Sequence, residues 1–455
     1  MRKLPHRTVT LAAATALTLG VGIAPAAGIA PAAARQPADG IPVVTAKVET
    51  PALFDDEAGG GSNADDPAIW RNAADPDRSL VIATAKQGGL RVYDLDGRQA
   101  QSLAAPAAPR PGDKPGRFNN VDLVSGLRFP DGRRHDVAVV SDRGRDRIRI
   151  YRIDGADPTA PLTDVTDEAR APFVFSADQD EVNDQRTAYG LATWTDEDSG
   201  RSYAVTSRRH GTELALAELT ATSAGRIGYR VVRTVALPSS FPLPDGTRWT
   251  PCAEPGELPQ VEGMVVDPDS GELYVGQEDV GIWKLDADLK VDVTDDDELE
   301  LVEKVRSFGR PAVYDPATEE CVEGADPGYG GKHISADVEG LTIWRDPEDP
   351  KDDGYLLVSS QGDNTFAVFD RDDDNEFVRT FRIGAGSAAG SPDGSEECDG
   401  AAVTGAPLGR RFPHGLLVVQ DGRDTPAVTD PHGEERTSTD FKFVDWKRVE
   451  EAADL

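Results

Sequence analysis

The stretch VEGMVVDPDSGELYVGQEDVGIWKLD at 261–286 decides the fold, because the chain writes it again at 338–370 as VEGLTIWRDPEDPKDDGYLLVSSQGDNTFAVFD. In each copy a carboxylate, Glu262 or Glu339, stands near the start of an apolar run. Polar groups, Gln277 with Glu278 or Gln361, end the next run. Short Val-, Ile-, Leu- and Tyr-rich runs separated by Asp, Gly and Pro read as strands joined by turns.

The unit extends to six copies. First runs are DPAIW (66–70), NVDLV (120–124), AYGLATW (188–194), VEGMVV (261–266), VEGLTIW (338–344) and CDGAAV (398–403). A second and a third apolar run follow each, and fainter fourth runs such as YRVVRTVAL and FVRTFRI fit an outer strand. Three to four antiparallel strands repeated six times predict an all-β fold, a six-bladed β-propeller. A β-sandwich would not need six similar units. The early run IPVVTAKVET (41–50) is expected to join the last blade and close the ring.

In such a blade the start of strand one and the end of strand two meet at one face. The sequence places Asp65, Asp66, Asn119, Asn120, Asp122, Tyr189, Glu262, Asp337, Glu339 and Asp399 on first strands, and Lys86, Arg143, Arg208, Arg209, Glu278, Gln361 and Asp421 at second-strand ends. Carboxylates packed that closely repel and are driven to protonate unless a cation intervenes. A rim of carboxylates and amides suits calcium. Read singly, an acid at a strand end is an ordinary turn residue; six blades doing it on one face point to a site.

Bulk properties agree with a secreted β protein. The 455 residues carry a formal charge of −33, with 45 Gly and 33 Pro. Such a surface repels nucleic acid and anionic membranes, and the expected partner is a small molecule met by a monomer. Residues 1–34 combine Arg2, Lys3 and Arg7 with a broken apolar run and small residues, as a cleaved export signal does. A linker at 35–43 and a single domain at 44–455 are expected to follow. Three cysteines imply one disulfide. Cys252 and Cys321 lie in inserts before the two VEG repeats and are the preferred pair, leaving Cys398 free.

These residues resemble the β-propeller phytases, calcium-dependent secreted phosphatases that act on inositol hexakisphosphate. The likeness rests on ADDPAIW (64–70), LVIATAKQGGLRVYDLDG (80–97), FNNVDL (118–123), AYGL (188–191), VEGM with YVGQEDVGIWK, DVEGLTI with YLLVSSQG, and GLLVVQDG with FKFVDW, in order across 44–446. It implies that Asp65, Glu262, Glu278, Asp337, Glu339, Gln361 and Asp399 hold active-site calcium. By the same resemblance Asp66, Asn120, Asp393, Asp421 and Asp424 hold ions that brace the blades, and Lys86, Arg143 and Tyr189 contact phosphate. It further implies 3-phytase activity, with Glu262 and Asp337 essential to attack by a metal-bound water. Where the family often has two lysines this chain has Lys86 and Gln87, and the late third-blade lysine is replaced by Arg208 or Arg209, between which spacing does not choose.

Other readings are weaker. RRHGTEL (208–214) lacks the residues that a histidine acid phosphatase needs after its R-H-G, and the EF-hand-like DRDDDNEFVRTF (370–381) has Asn375 and Phe381 at the two decisive positions. A six-bladed lactonase or phosphotriesterase, or a non-catalytic binding propeller, shares the fold but does not call for the basic residues Lys86 and Arg143.

Overall fold

The computed structural model describes residues 40–455 apart from 224, 296–297, 350–352 and 373. The expected export signal lies outside the described residues, as does most of the 35–43 linker.

Six antiparallel blades follow one another along the chain. Blade one is Pro67–Trp70, Leu80–Thr84, Leu90–Tyr93 and Gln99–Leu103. Blade two is Phe118–Arg128, Arg134–Asp142, Arg147–Ile153 and Leu162–Asp164. Blade three is Ala188–Asp196, Arg201–Arg208, Glu213–Ala221 and Ile227–Ala236. Blade four is Val261–Val266, Glu272–Gln277, Gly281–Asp286 and Leu299–Lys304. Blade five is Val338–Arg345, Gly354–Ser360, Thr365–Asp370 and Phe377–Gly384. Blade six is Ala401–Thr404, Leu416–Asp421 and Ser438–Asp445. Each first strand touches the first strand of the next blade, and that of blade six touches that of blade one.

The N-terminal segment departs from expectation in one respect. Val48–Glu49 does lie antiparallel to Ser438–Asp445 on the outside of blade six, but Val43–Thr45 runs parallel to the outer strand of blade five. The predicted single strand is thus two short ones that span two blades. A C-terminal helix, Trp446–Ala453, follows blade six; Trp446, Val449 and Ala453 are buried, and Trp446 stacks on Trp344 at 4.9 Å between centroids.

Alternate residues of each strand face the neighbouring blade, so the apolar cores form between blades. Val124, Val137 and Ile148 of blade two meet Leu191, Ala204 and Ala217 of blade three, and Val81 and Tyr93 of blade one meet Val418 and Phe441 of blade six. Burial of this apolar surface is the main favourable term.

At the channel, hydroxyl groups tie one blade to the next. Ser207 Oγ accepts from Gly190 N of its own blade at 2.9 Å and donates to Val261 O of blade four at 2.6 Å. Ser141 does the same between Asn120 N and Tyr189 O, at 3.0 and 2.5 Å. Thr84 bridges Asp66 N and Asn119 O, and Ser359 reaches Cys398 O at 2.8 Å. The inserts meet as expected: Cys252 and Cys321 are joined, with Cα atoms 6.1 Å apart, and Cys398 is free and buried.

A Ser207→Ala variant leaves a buried N–H and a carbonyl without this partner. It is expected to lose about 2–4 kcal/mol of stability, seen as a lower urea midpoint at unchanged slope. Thiol labelling in denaturant without reductant is expected to modify Cys398 alone, and all three cysteines after reduction.

Candidate active site at the channel mouth

The blades deliver their acids through a repeated local device. In blades two to five the strand-one register breaks beside the polar residue: between Phe118 and Val121, Ala188 and Leu191, Val261 and Met264, and Val338 and Leu341. A bulge of this kind re-aims side chains at the strand end. In blades three to five the bulge also carries a glycine where the next blade crosses, and in blade six Gly400 stands just before the first strand. A methyl on Gly190 would lie 2.0 Å from Glu262 O, one on Gly263 2.0 Å from Glu339 O, and one on Gly400 2.5 Å from Asp66 Cα. Only glycine allows the inner strands this close.

Close approach crowds the carboxylates. Oxygens of Glu262, Glu278 and Glu339, all buried, lie within 4.8 Å of one another. Burial, and then the neighbouring charge of Glu262, push the carboxyls of Glu278 and Glu339 well above the usual range. Asp337 adds its charge to the same group, and Gln361 N is bound to Asp337 O at 3.0 Å. Gln361 Nε2 donates to Asp399 Oδ1 at 2.7 Å. Lys86 Nζ lies 3.0 Å from Asp399 Oδ2 and 3.7 Å from Asp65 Oδ1. Burial opposes the Lys86 charge, but Asp399, Asp65 and Glu262 more than offset it and hold the ammonium above its ordinary pKa. The Lys86 backbone, at φ +44°, lies in a region that costs a side-chain-bearing residue about 1–3 kcal/mol.

Opposite stand the other predicted phosphate contacts. Tyr189 OH donates to Glu262 Oε2, and Asn119 Nδ2 to Glu262 Oε1. Arg143 Nη1 donates to Asn119 Oδ1 at 3.3 Å, with its guanidinium 5.3 Å from the centre of the Tyr189 ring. Arg208 and Arg209, between which the sequence does not choose, differ in their surroundings. Arg208 turns back to Glu213 Oε1 at 2.9 Å. Arg209 instead falls under the influence of Arg143, Tyr189 and Arg117, and burial followed by Arg143 lowers its pKa to about 10.

The remaining residues divide. Asp66 and Asn120 lie deeper, lining a channel cavity of about 310 Å³. Asp122 lines the same cavity rather than the mouth and accepts from Thr193 N at 2.7 Å. Asp393 and Asp421 are gathered elsewhere, around the fully buried ammonium of Lys442, which also meets Asp440 at 2.8 Å and Glu49 at 3.5 Å. The Asp424 backbone N–H donates to Ser438 O. Sequence reading missed Lys442 and Asp440; it also missed Arg117, whose guanidinium donates to Gln87 Oε1.

The donor set at the mouth fits a hard divalent cation. Asp65 Oδ2 and Glu339 Oε2 are buried and accept no hydrogen bond, and unpaired carboxylate oxygens are what calcium takes as ligands.

Comparison with known proteins agrees with this geometry. The phytase family model matches residues 7–242 and 314–455; blade four, with Glu262 and Glu278, lies between the two matched segments. A 3-phytase of Bacillus subtilis (strain 168) is 32% identical over 409 residues, 89% of this chain and 84% of that protein. Among solved structures, the calcium-binding protein regucalcin of Agrobacterium tumefaciens str. C58 is 11% identical, with a TM-score of 0.41 over 89% of this chain and 97% of that one. The periplasmic gluconolactonase of Pseudomonas aeruginosa is 15% identical, with a TM-score of 0.32 over 67% and 66%. Likeness at that level carries no weight beside the match along the sequence. The chain belongs to the phytase family.

Proposed function

We propose that this protein hydrolyses phosphate monoesters of inositol hexakisphosphate with the help of calcium held at the channel mouth, and that it does so outside the cell. The observation that carries the reading is the meeting, at one mouth, of a crowded carboxylate cluster with Lys86, Arg143 and Arg209 in a chain of net charge −33. Export is supported by the leader-like residues 1–34. No helix among the described residues is long and apolar enough to cross a membrane.

Glu262, Glu278, Glu339, Asp337, Asp65 and Asp399, with the amide of Gln361, would hold calcium at the mouth. Asp66 and Asn120 would hold it deeper in the channel. Beside blade six, Asp393 and Asp421 already share Lys442, and with Asp440 and Glu49 they still outnumber its single positive charge. When bound, calcium neutralises the carboxylates and the substrate's phosphates and makes water more acidic.

The chain's own groups then orient the ester. Lys86, Arg143 and Arg209 donate charge-assisted hydrogen bonds to phosphate oxygens, which are shorter and stronger than neutral ones. Asn119 and the face of the Tyr189 ring brace Arg143, so little is lost in ordering it. Tyr189 keeps its proton, because burial and then Glu262 push the phenol well above its usual pKa. Its hydroxyl is therefore neutral, donates its one hydrogen to Glu262 and adds no negative charge beside the reacting phosphate. Water is the attacking group. The free Cys398 is buried with its thiol pushed up to about 12, and His210 Nδ1 is turned to Glu257 Oε1 at 2.9 Å.

Chelation with EDTA is expected to abolish phosphate release from inositol hexakisphosphate and to lower the melting temperature, both restored by calcium, because an ion that binds only the native state stabilises it by mass action. Undiminished release after chelation would sink the proposal. Glu262→Gln is expected to lower kcat at least a hundredfold while circular dichroism still shows the β fold; turnover within a few-fold of the parent would remove Glu262 from the site.

A further inference from the structure

Gln277 and Glu278, which close the second run of blade four, both grip the segment that enters that blade. Gln277 is fully buried. Its Oε1 accepts from Trp283 Nε1 at 2.9 Å, and its Nε2 donates to Pro259 O at 2.8 Å and to Pro238 O at 3.2 Å. The Glu278 backbone N–H donates to Gln260 O at 3.1 Å. This segment runs between the disulfide at Cys252 and the first strand of blade four, so both of its ends are fastened.

Gln260 returns the hold. Its Nε2 lies 3.0 Å from each oxygen of the Glu278 carboxylate, while its Oε1 accepts from His210 N at 2.8 Å. Only one orientation of the amide satisfies both, since the carboxylate can only accept and the backbone N–H can only donate. His210 follows Arg209 in the chain and is bound at two further points by the same segment. Leu258 N donates to His210 O at 3.3 Å, and Glu257 Oε1 lies 2.9 Å from His210 Nδ1. A single amide thus touches the carboxylate cluster on one side and the turn that carries Arg209 on the other.

The charged groups that bear on Glu278 are acids: Glu262, Asp337 and Asp279. Gln260 directly precedes the first strand of blade four, as Asp337 precedes that of blade five. Where the one blade brings a carboxylate, the other brings a donor. Each carboxylate oxygen offers two lone pairs, so an amide bound to both oxygens leaves room on them for a metal.

We infer that Gln260 is a positioning residue: it fixes the Glu278 carboxylate for calcium and ties it to the turn of Arg209, so that the metal side and the phosphate-gripping side of the mouth keep one spacing. The inference rests on the calcium-phosphatase reading and adds to it the group that sets one ligand. Partners that orient a metal's ligands are worth roughly 10–100-fold in affinity.

The test is a calorimetric titration of calcium into chelated protein, with Glu278→Gln marking the part of the isotherm that belongs to the mouth. Gln260→Met, of similar length without the amide, is expected to weaken that part about tenfold and to leave the remainder unchanged. At saturating calcium its KM for inositol hexakisphosphate is expected to rise about threefold with kcat nearly unchanged. Gln260→Asn, with the amide on a shorter stem, is expected to fall between Gln260→Met and the parent, and it carries the test if the methionine variant does not fold. A calcium isotherm that matches the parent's, with only a lower melting temperature of the chelated variant, overturns the assignment. An unmoved KM overturns the tie to Arg209. Parent protein that takes up no calcium overturns the calcium reading itself, an outcome separate from the other two.

Discussion

Carboxylates that would separate in water are held together here by the covalent path of six blades. Two unit charges about 4 Å apart repel by roughly 4 kcal/mol at the effective dielectric of a protein surface. Glu262, Glu278 and Glu339 keep their oxygens within 4.8 Å, with Asp399 and Asp337 adding to the field. The fold sets that distance through its backbone. Gly190, Gly263 and Gly400 bring neighbouring inner strands close enough that no side chain would fit between them, and the bulges that hold Gly190 and Gly263 swing the adjacent polar residue to the mouth. Lys86 is the part of the answer to that demand that the chain carries itself.

The repulsion is affordable because the ring is fastened elsewhere. Apolar cores lie between blades, away from the mouth, and the hydroxyls of Thr84, Ser141, Ser207 and Ser359 join consecutive inner strands without charge. Neutral bonds of this kind keep their strength whether or not calcium is present. The backbone positions of the site are therefore supported by groups other than those that bind the ligand, which is the condition for preorganisation.

How far the sequence could be read follows from the same split. The six runs repeat in register, so a residue at a given place in one blade lies near its counterpart in the next, and Glu262, Glu339 and Asp399 were legible for that reason. Arg208 and Arg209 were not separable, since adjacent residues point to opposite faces and the strand ends between them. Arg117 stands before its strand, and its partner Gln87 belongs to another blade. Lys442 lies in a run whose alternation gives no hint of full burial; Glu49 from the N-terminal strand and Asp393 from the loop before blade six close over it. The C-terminal helix did leave a trace, because Trp446, Val449 and Ala453 follow a helical spacing.

The chemistry of the cations also matters. At the mouth, three guanidiniums crowd one another without acid partners, and burial and mutual repulsion lower the pKa of Arg117 and bring that of Arg209 to about 10. A lysine ammonium begins about two pH units lower than a guanidinium, so the same crowding would carry it toward neutrality and cost the site its positive charge. Lys86 escapes this because it sits between Asp65 and Asp399. Lysine therefore stands where it pairs with acids, and arginine where, among the described residues, it pairs with none and only a group of very high intrinsic pKa stays charged.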